Sequence, residues 1–288
     1  NTREPHTHQG VGRALSLSPE QQVACQKYAN RSFVPQSEQK HPTLLWTFPG
    51  SGSGWVRLLI EHATGHYSGS VYGDESLVAE MPGEYECSRR VAIIKAHPTT
   101  HSFADLKRGG RIPFNHRCKT IKHFDKSIMV IRNPYDAIWS DHNRKITRSH
   151  VGKIKRNNFD RKEWVKNAQR LAYKYADMWT KSYVPFMKER DPDQYLVVKF
   201  EDLINPDLQL DILAKMLKLL QYDYTQDKLK CAFYLANHPK VKRPKVSADA
   251  VKKSEAYSKQ QVCNLWLTLS VPAQRGQYHR YAADEFSC

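Results

Sequence analysis

Leu44-Leu45-Trp46-Thr47-Phe48-Pro49-Gly50-Ser51-Gly52-Ser53-Gly54-Trp55-Val56-Arg57-Leu58-Leu59-Ile60 places an apolar run, a glycine-serine turn and a helix-type segment in immediate succession. The run from Leu44 to Phe48 is short and apolar, as in a strand buried on both faces. Trp55 to Thr64 reads as a helix that Gly65 closes. Between them Gly50, Gly52 and Gly54 let the backbone turn tightly and present N–H groups inward, where the positive end of the following helix reinforces them. Strand, loop and helix in this order make a cradle for phosphate or sulfate. A flexible Gly-Ser turn is the bland alternative, and the flanking elements disfavour it. The loop is not that of a nucleoside triphosphatase, because Trp55 and Val56 follow Gly54 where a Lys and a Ser or Thr would reach the outer phosphates and Mg²⁺.

Val91 to Lys95, Ser127 to Ile131 and Tyr195 to Phe200 are three more buried-type strands. Helices are expected over 133–145, over 163–188 with apolar positions at 164, 168, 171, 172, 175, 178 and 179, and over 207–221. Short apolar strands alternating with helices predict an α/β fold, a parallel sheet flanked by helices with a P-loop-like anion-binding loop. Ligands of such sheets bind beyond the carboxyl ends of the strands. Residues 1–40, rich in Gln, Ser, His and Pro, read as a stalk or N-terminal arm ahead of a domain over 41–288.

The charge sum is 45 Lys+Arg against 29 Asp+Glu, or +16 over 288 residues, which suits an acidic partner: nucleic acid, a sulfated or sialylated glycan, an anionic lipid surface or a polyphosphorylated nucleotide. A solvated basic surface is the neutral reading. A hydrophobic content of 40% excludes a disordered chain. No run reaches the ~20 apolar residues of a membrane span. The start at Asn1, without Met, leads us to expect a part of a longer product. Six cysteines (Cys25, Cys87, Cys118, Cys231, Cys263, Cys288) with no CxxC pair favour two or three disulfides over a zinc site or free thiols. Asn30-Arg31-Ser32 is a sequon compatible with a secretory route.

Two further constellations sit at strand ends. Arg132 closes the third strand, and Ser140 lies eight residues on, about two helical turns into the next helix. A guanidinium and a hydroxyl so placed can grip one phosphate. Lys95-Ala96-His97-Pro98 ends the second strand, and His is the usual general base near neutral pH. No Ser-His-Asp or Cys-His signature accompanies them.

Together these segments resemble the sulfotransferases that use 3′-phosphoadenosine 5′-phosphosulfate, PAPS. The resemblance lies in Pro-x-Ser-Gly-x-x-Trp (Pro49 to Trp55), Lys-x-His (Lys95, His97), Arg-Asn-Pro-x-Asp with Ser140 eight residues past Arg132, and Phe200-Glu201-Asp202-Leu203 before Pro206. Within that family the chain is most similar to the sulfotransferase-like domains associated with WSC domains, through Phe48 to Gly52, Leu59 to Gly65 and Tyr67-Ser68-Gly69-Ser70. The resemblance implies that Gly50, Ser51, Gly52, Ser53, Gly54 and Trp55 hold the 5′-phosphosulfate, with Trp55 near the adenine, and that Arg132 and Ser140 hold the 3′-phosphate. Arg243 and Lys245, in the cluster 242–245, would supply a further phosphate-binding segment. His97 would take the proton from an acceptor hydroxyl and Lys95 would stabilise developing charge. No metal is implied.

The expected reaction is sulfuryl transfer from PAPS to a hydroxyl, with a glycan as the favoured acceptor and PAP as the product. The acceptor pocket is expected from loops such as 66–90 and 141–162. No nucleic-acid partner is expected, and membrane association only through an N-terminal anchor outside the sequence, which suits the Golgi lumen, with the cytosol as alternative. One departure stands out: many family members carry a Lys after the loop Pro, where this chain has Gly50, with Lys95 or Arg57 as candidate substitutes. A catalytically weak or inactive module that binds acidic glycans is therefore the alternative, and a nucleotide kinase is disfavoured.

Overall fold

The computed structural model describes residues 17–98, 118, 121, 124–150, 152–237 and 249–273. Five strands form one sheet: β1 Thr43–Thr47, β2 Gly69–Ser70, β3 Ile94–Ala96, β4 Lys126–Ile131 and β5 Tyr195–Lys199. Their order is β2-β3-β1-β4-β5 and every pairing is parallel. β1 is central, with Leu45 opposite Lys95 on one side and Ile128 on the other. Ten helices are described: α1 Pro19–Cys25, α2 Ser53–Thr64, α3 Pro134–Thr147, α4 Arg161–Met178, α5 Val184–Glu189, α6 Phe200–Leu203, α7 Gln209–Leu220, α8 Gln226–Ala236, α9 Lys253–Ala256 and α10 Lys259–Ala273.

Because side chains alternate across a strand, β1 feeds two cores. Leu44 and Trp46 join Ile94, Ala96, Met129 and Ile131 against α3 and α4. Leu45 joins Ile93, Ile128, Val130 and Val198 against α2, α7 and α8. Helices cover both faces, which is why β1 is buried at every position and carries no polar-apolar alternation. The α/β fold expected from the sequence is the one observed.

Boundaries differ where tertiary contacts intervene. The second strand, expected over 91–95, spans Ile94–Ala96, because Ala92 N–H donates to Tyr67 C=O (2.9 Å) and Ile93 C=O accepts from Gly69 N–H (2.7 Å) before the chain reaches β1. The helix expected over 163–188 is broken by a π-turn over Trp179–Tyr183. Pro185, at the start of α5, offers no N–H and crowds the carbonyl one turn back, and the wider turn relieves both.

Cys25 is bonded to Cys231, tying α1 to α8, and Cys87 to Cys118. Cys263 is also disulfide-bonded, and no described cysteine is free. These crosslinks fit a lumenal or secreted domain. Among the described residues no helix is long and apolar enough to cross a membrane.

Candidate functional site

β1, β3 and β4 end side by side, and the candidate residues follow from those three ends. After β1, Phe48 is buried with its ring 4.8 Å from that of Tyr175, and Ser51 N–H closes the turn onto Phe48 C=O at 3.1 Å. Gly50 (φ +87°) and Gly52 (φ +84°) adopt left-handed backbone that a side chain disfavours. A Cβ at Gly52 would also meet the Phe200 ring at 2.3 Å, and one at Gly50 the Ala137 carbonyl of α3 at 2.3 Å. The loop is thus wedged between α3 and Phe200 and has no room for a larger residue at either position.

Gly52 caps α2 without a side chain, and the first intrahelical bond runs from Val56 N–H to Gly52 C=O (3.1 Å). The amides of Ser53, Gly54 and Trp55 precede that bond at the positive helix end. The Ser51 hydroxyl is fully buried with no hydrogen-bond partner. Trp55 Nε1–H donates to Asn237 Oδ1 (3.2 Å), and its ring meets Phe200 edge-on at 5.8 Å.

Arg132 leaves the end of β4 and donates from Nη1 to Gly50 C=O (2.8 Å), while its guanidinium lies 4.8 Å from the Phe200 ring centroid. Its carbonyl accepts from Tyr175 O–H (2.6 Å), and the next amide, Asn133 N–H, donates to Glu201 Oε1 (2.8 Å). Asn133 in turn caps α3 through Tyr135 N–H (3.0 Å). Ser140 is half-buried on α3, next to Asp141, whose amide would stand 2.9 Å from a Cβ on Gly50. The structure therefore brings loop, Arg132 and the Ser140 turn of α3 together.

His97 follows β3 and reaches back to β1: Nδ1 is 2.7 Å from Thr47 C=O. A carbonyl only accepts, so Nδ1 carries the hydrogen and Nε2 keeps its lone pair. Burial, then the Lys95 charge, pushes the imidazole down to about 3, against the pull of Asp141. Lys95 is buried, and burial followed by repulsion from Arg57 lowers its ammonium to about 8, with Glu84 and Asp74 opposing. At pH 7 the pair is a neutral base beside a cation.

Arg57 is spent elsewhere. It is fully buried, paired with Glu84 and bonded through Nε to Ser68 Oγ (2.7 Å) and through Nη2 to Ser68 C=O (3.2 Å). Lys95, whose charge acts on His97, is then the candidate to replace the loop Lys. Arg243 and Lys245 lie outside the described residues. Tyr72, whose ring stacks on His97, and Tyr175 and Asn237 are not legible in the sequence, because each acts through a tertiary contact with no local pattern.

No family model matches the chain. Curated relatives do. The chain is similar to WSCD family members. One from Drosophila pseudoobscura pseudoobscura is 28% identical over 214 residues, covering 71% of this chain and 59% of that protein. Others from Drosophila melanogaster (27% over 197 residues, 66% and 53% covered) and Aedes aegypti (26% over 211 residues, 70% and 57% covered) agree. The chain spans a little over half the length of these WSCD relatives, and their similarity supports a WSCD-related family.

Proposed function

We propose that the chain is a PAPS-dependent sulfotransferase acting on a hydroxyl, with a glycan as acceptor. The observation that supports this best is the convergence of two features on adjacent strand ends. One is a helix start without a side-chain cap, lined by the partnerless Ser51 hydroxyl. The other is an imidazole whose Nδ1–H is held by Thr47 C=O, so that Nε2 is the acceptor. The first suits a phosphosulfate group and the second the proton of an attacking hydroxyl.

PAPS supplies the activated sulfuryl group. The amides and hydroxyls of residues 51–55 would hold its 5′-phosphosulfate and Arg132 with Ser140 its 3′-phosphate. His97 Nε2 accepts the hydroxyl proton, and Lys95 stabilises charge on the departing phosphate. Anionic groups on the loop favour protonation of both side chains, which strengthens a base that is weak at rest. Disulfides and the exposed Asn30 of the sequon suit the Golgi lumen as the setting.

The alternative, glycan binding without transfer, rests on Gly50, which forbids the family's loop Lys by both its φ and its contact with α3. Transfer of radiolabelled sulfate from PAPS to a panel of glycans separates the two. Label on an acceptor that is lost with His97→Ala supports the enzyme; glycan binding without label supports the alternative.

A further inference from the structure

We propose that Tyr72 is the positioning residue for the His97–Lys95 pair, its ring and hydroxyl together holding the imidazole in the orientation and tautomer that present Nε2. This rests on the reading of His97 as the base. Tyr72 lies two residues beyond β2 and touches both members of the pair. His97 N–H donates to Tyr72 Oη (2.8 Å), the two rings stack with centroids 5.3 Å apart at 25°, and Lys95 Nζ lies 5.5 Å from the Tyr72 centroid. The bond from Nδ1–H to Thr47 C=O fixes one point of the imidazole. A single point leaves rotation about the bond open, whereas a stacked ring and an anchored main chain close it. The same ring attracts the Lys95 ammonium without occupying its N–H donors, which leaves them for an anion.

The turn that carries Tyr72 is itself fixed. Tyr72 N–H donates to Ser70 Oγ (3.1 Å), Gly73 takes φ +67°, and Asp74 N–H donates to Glu84 Oε1 (3.2 Å). Asp74 Oδ2 is 3.0 Å from His150 Nε2, which links the turn to the segment after α3. Among the described residues, the charged groups that act on His97 are Lys95 and Arg144 on the positive side and Asp141 on the negative.

Long-range ¹H–¹⁵N spectra of the full chain test the idea without an acceptor. The wild type should show a single Nδ1–H tautomer of His97. Tyr72→Leu removes stack and hydroxyl, and should give a tautomer mixture and move the His97 titration up by about one unit or more as water reaches the ring. Tyr72→Phe keeps the stack, so the tautomer should be retained while the His97 amide exchanges about tenfold faster. A single unchanged tautomer in Tyr72→Leu would overturn the proposal. Should that variant not fold, Tyr72→Phe decides: unchanged amide exchange at His97 overturns it. PAP titration of the wild type accompanies the spectra. A wild type that binds no PAP would sink the cofactor reading alone, because the His97 tautomer is read without nucleotide.

Discussion

Gly50→Ala probes the wedge that shapes the loop, and its cost can be worked from the geometry. At φ +87° an L-residue costs about 1–2 kcal/mol. Its Cβ would stand 2.3 Å from the Ala137 carbonyl oxygen and 2.9 Å from the Asp141 nitrogen. Both are backbone atoms of a helix and cannot rotate aside, so relief requires moving the loop or α3, at about 1–3 kcal/mol by comparison with over-packed cores. The sum is about 2–5 kcal/mol, a fall in Tm of about 4–10 °C for a domain of this size. Gly65 supplies the control. It has φ +82° but nothing within 4 Å of an added Cβ, so Gly65→Ala carries the backbone cost alone. Thermal melts by circular dichroism, with disulfides intact, compare the two. Gly50→Ala should melt well below Gly65→Ala; equal melting temperatures would refute the wedge. Gly50→Lys meets the same atoms, so restoring the family's Lys should lower PAP affinity rather than raise it.

His97→Ala should abolish sulfate transfer while leaving PAP affinity nearly intact, and retained turnover would remove His97 as the base. Arg132→Ala should weaken PAP more than 5′-AMP; equal weakening in calorimetry would mean that Arg132 does not read the 3′-phosphate. His62, His97 and His142 are held by burial to about 4, 3 and 4. A folded-state value below the unfolded one means that the unfolded chain binds the extra protons, so stability should drop as pH falls from about 6.5 toward 4. Glu84, which burial alone would raise but Arg57 and Lys95 bring below the usual range, extends the loss to lower pH. Melts that do not change between pH 7 and 4.5 would contradict this. Cys25→Ser with Cys231→Ser removes a crosslink spanning 206 residues, and should cost roughly 5 kcal/mol by loop entropy, read from urea unfolding.

The strand-loop-helix unit was readable because its signals are local: an apolar run, glycines where φ turns positive, and a helical stripe. The same logic put Arg132 and His97 at the ends of buried strands, and the structure has them directly after β4 and β3. What escaped was set by distance along the chain. Arg57 reads as one more residue of an amphipathic helix, and its partners Ser68 and Glu84, 11 and 27 residues on, explain why a guanidinium is buried there. Tyr72 meets His97 across 25 residues, with no periodicity to announce it. The π-turn at Trp179–Tyr183 was hidden because the apolar stripe runs on through it, although Pro185 gave the clue.

Calorimetric titration of the purified chain with PAP, beside ATP with Mg²⁺, tests the central claim most directly. The account predicts micromolar-range binding of PAP, much tighter than ATP. A folded protein that binds no PAP, or prefers ATP with Mg²⁺, would contradict the assignment of the loop to a phosphosulfate.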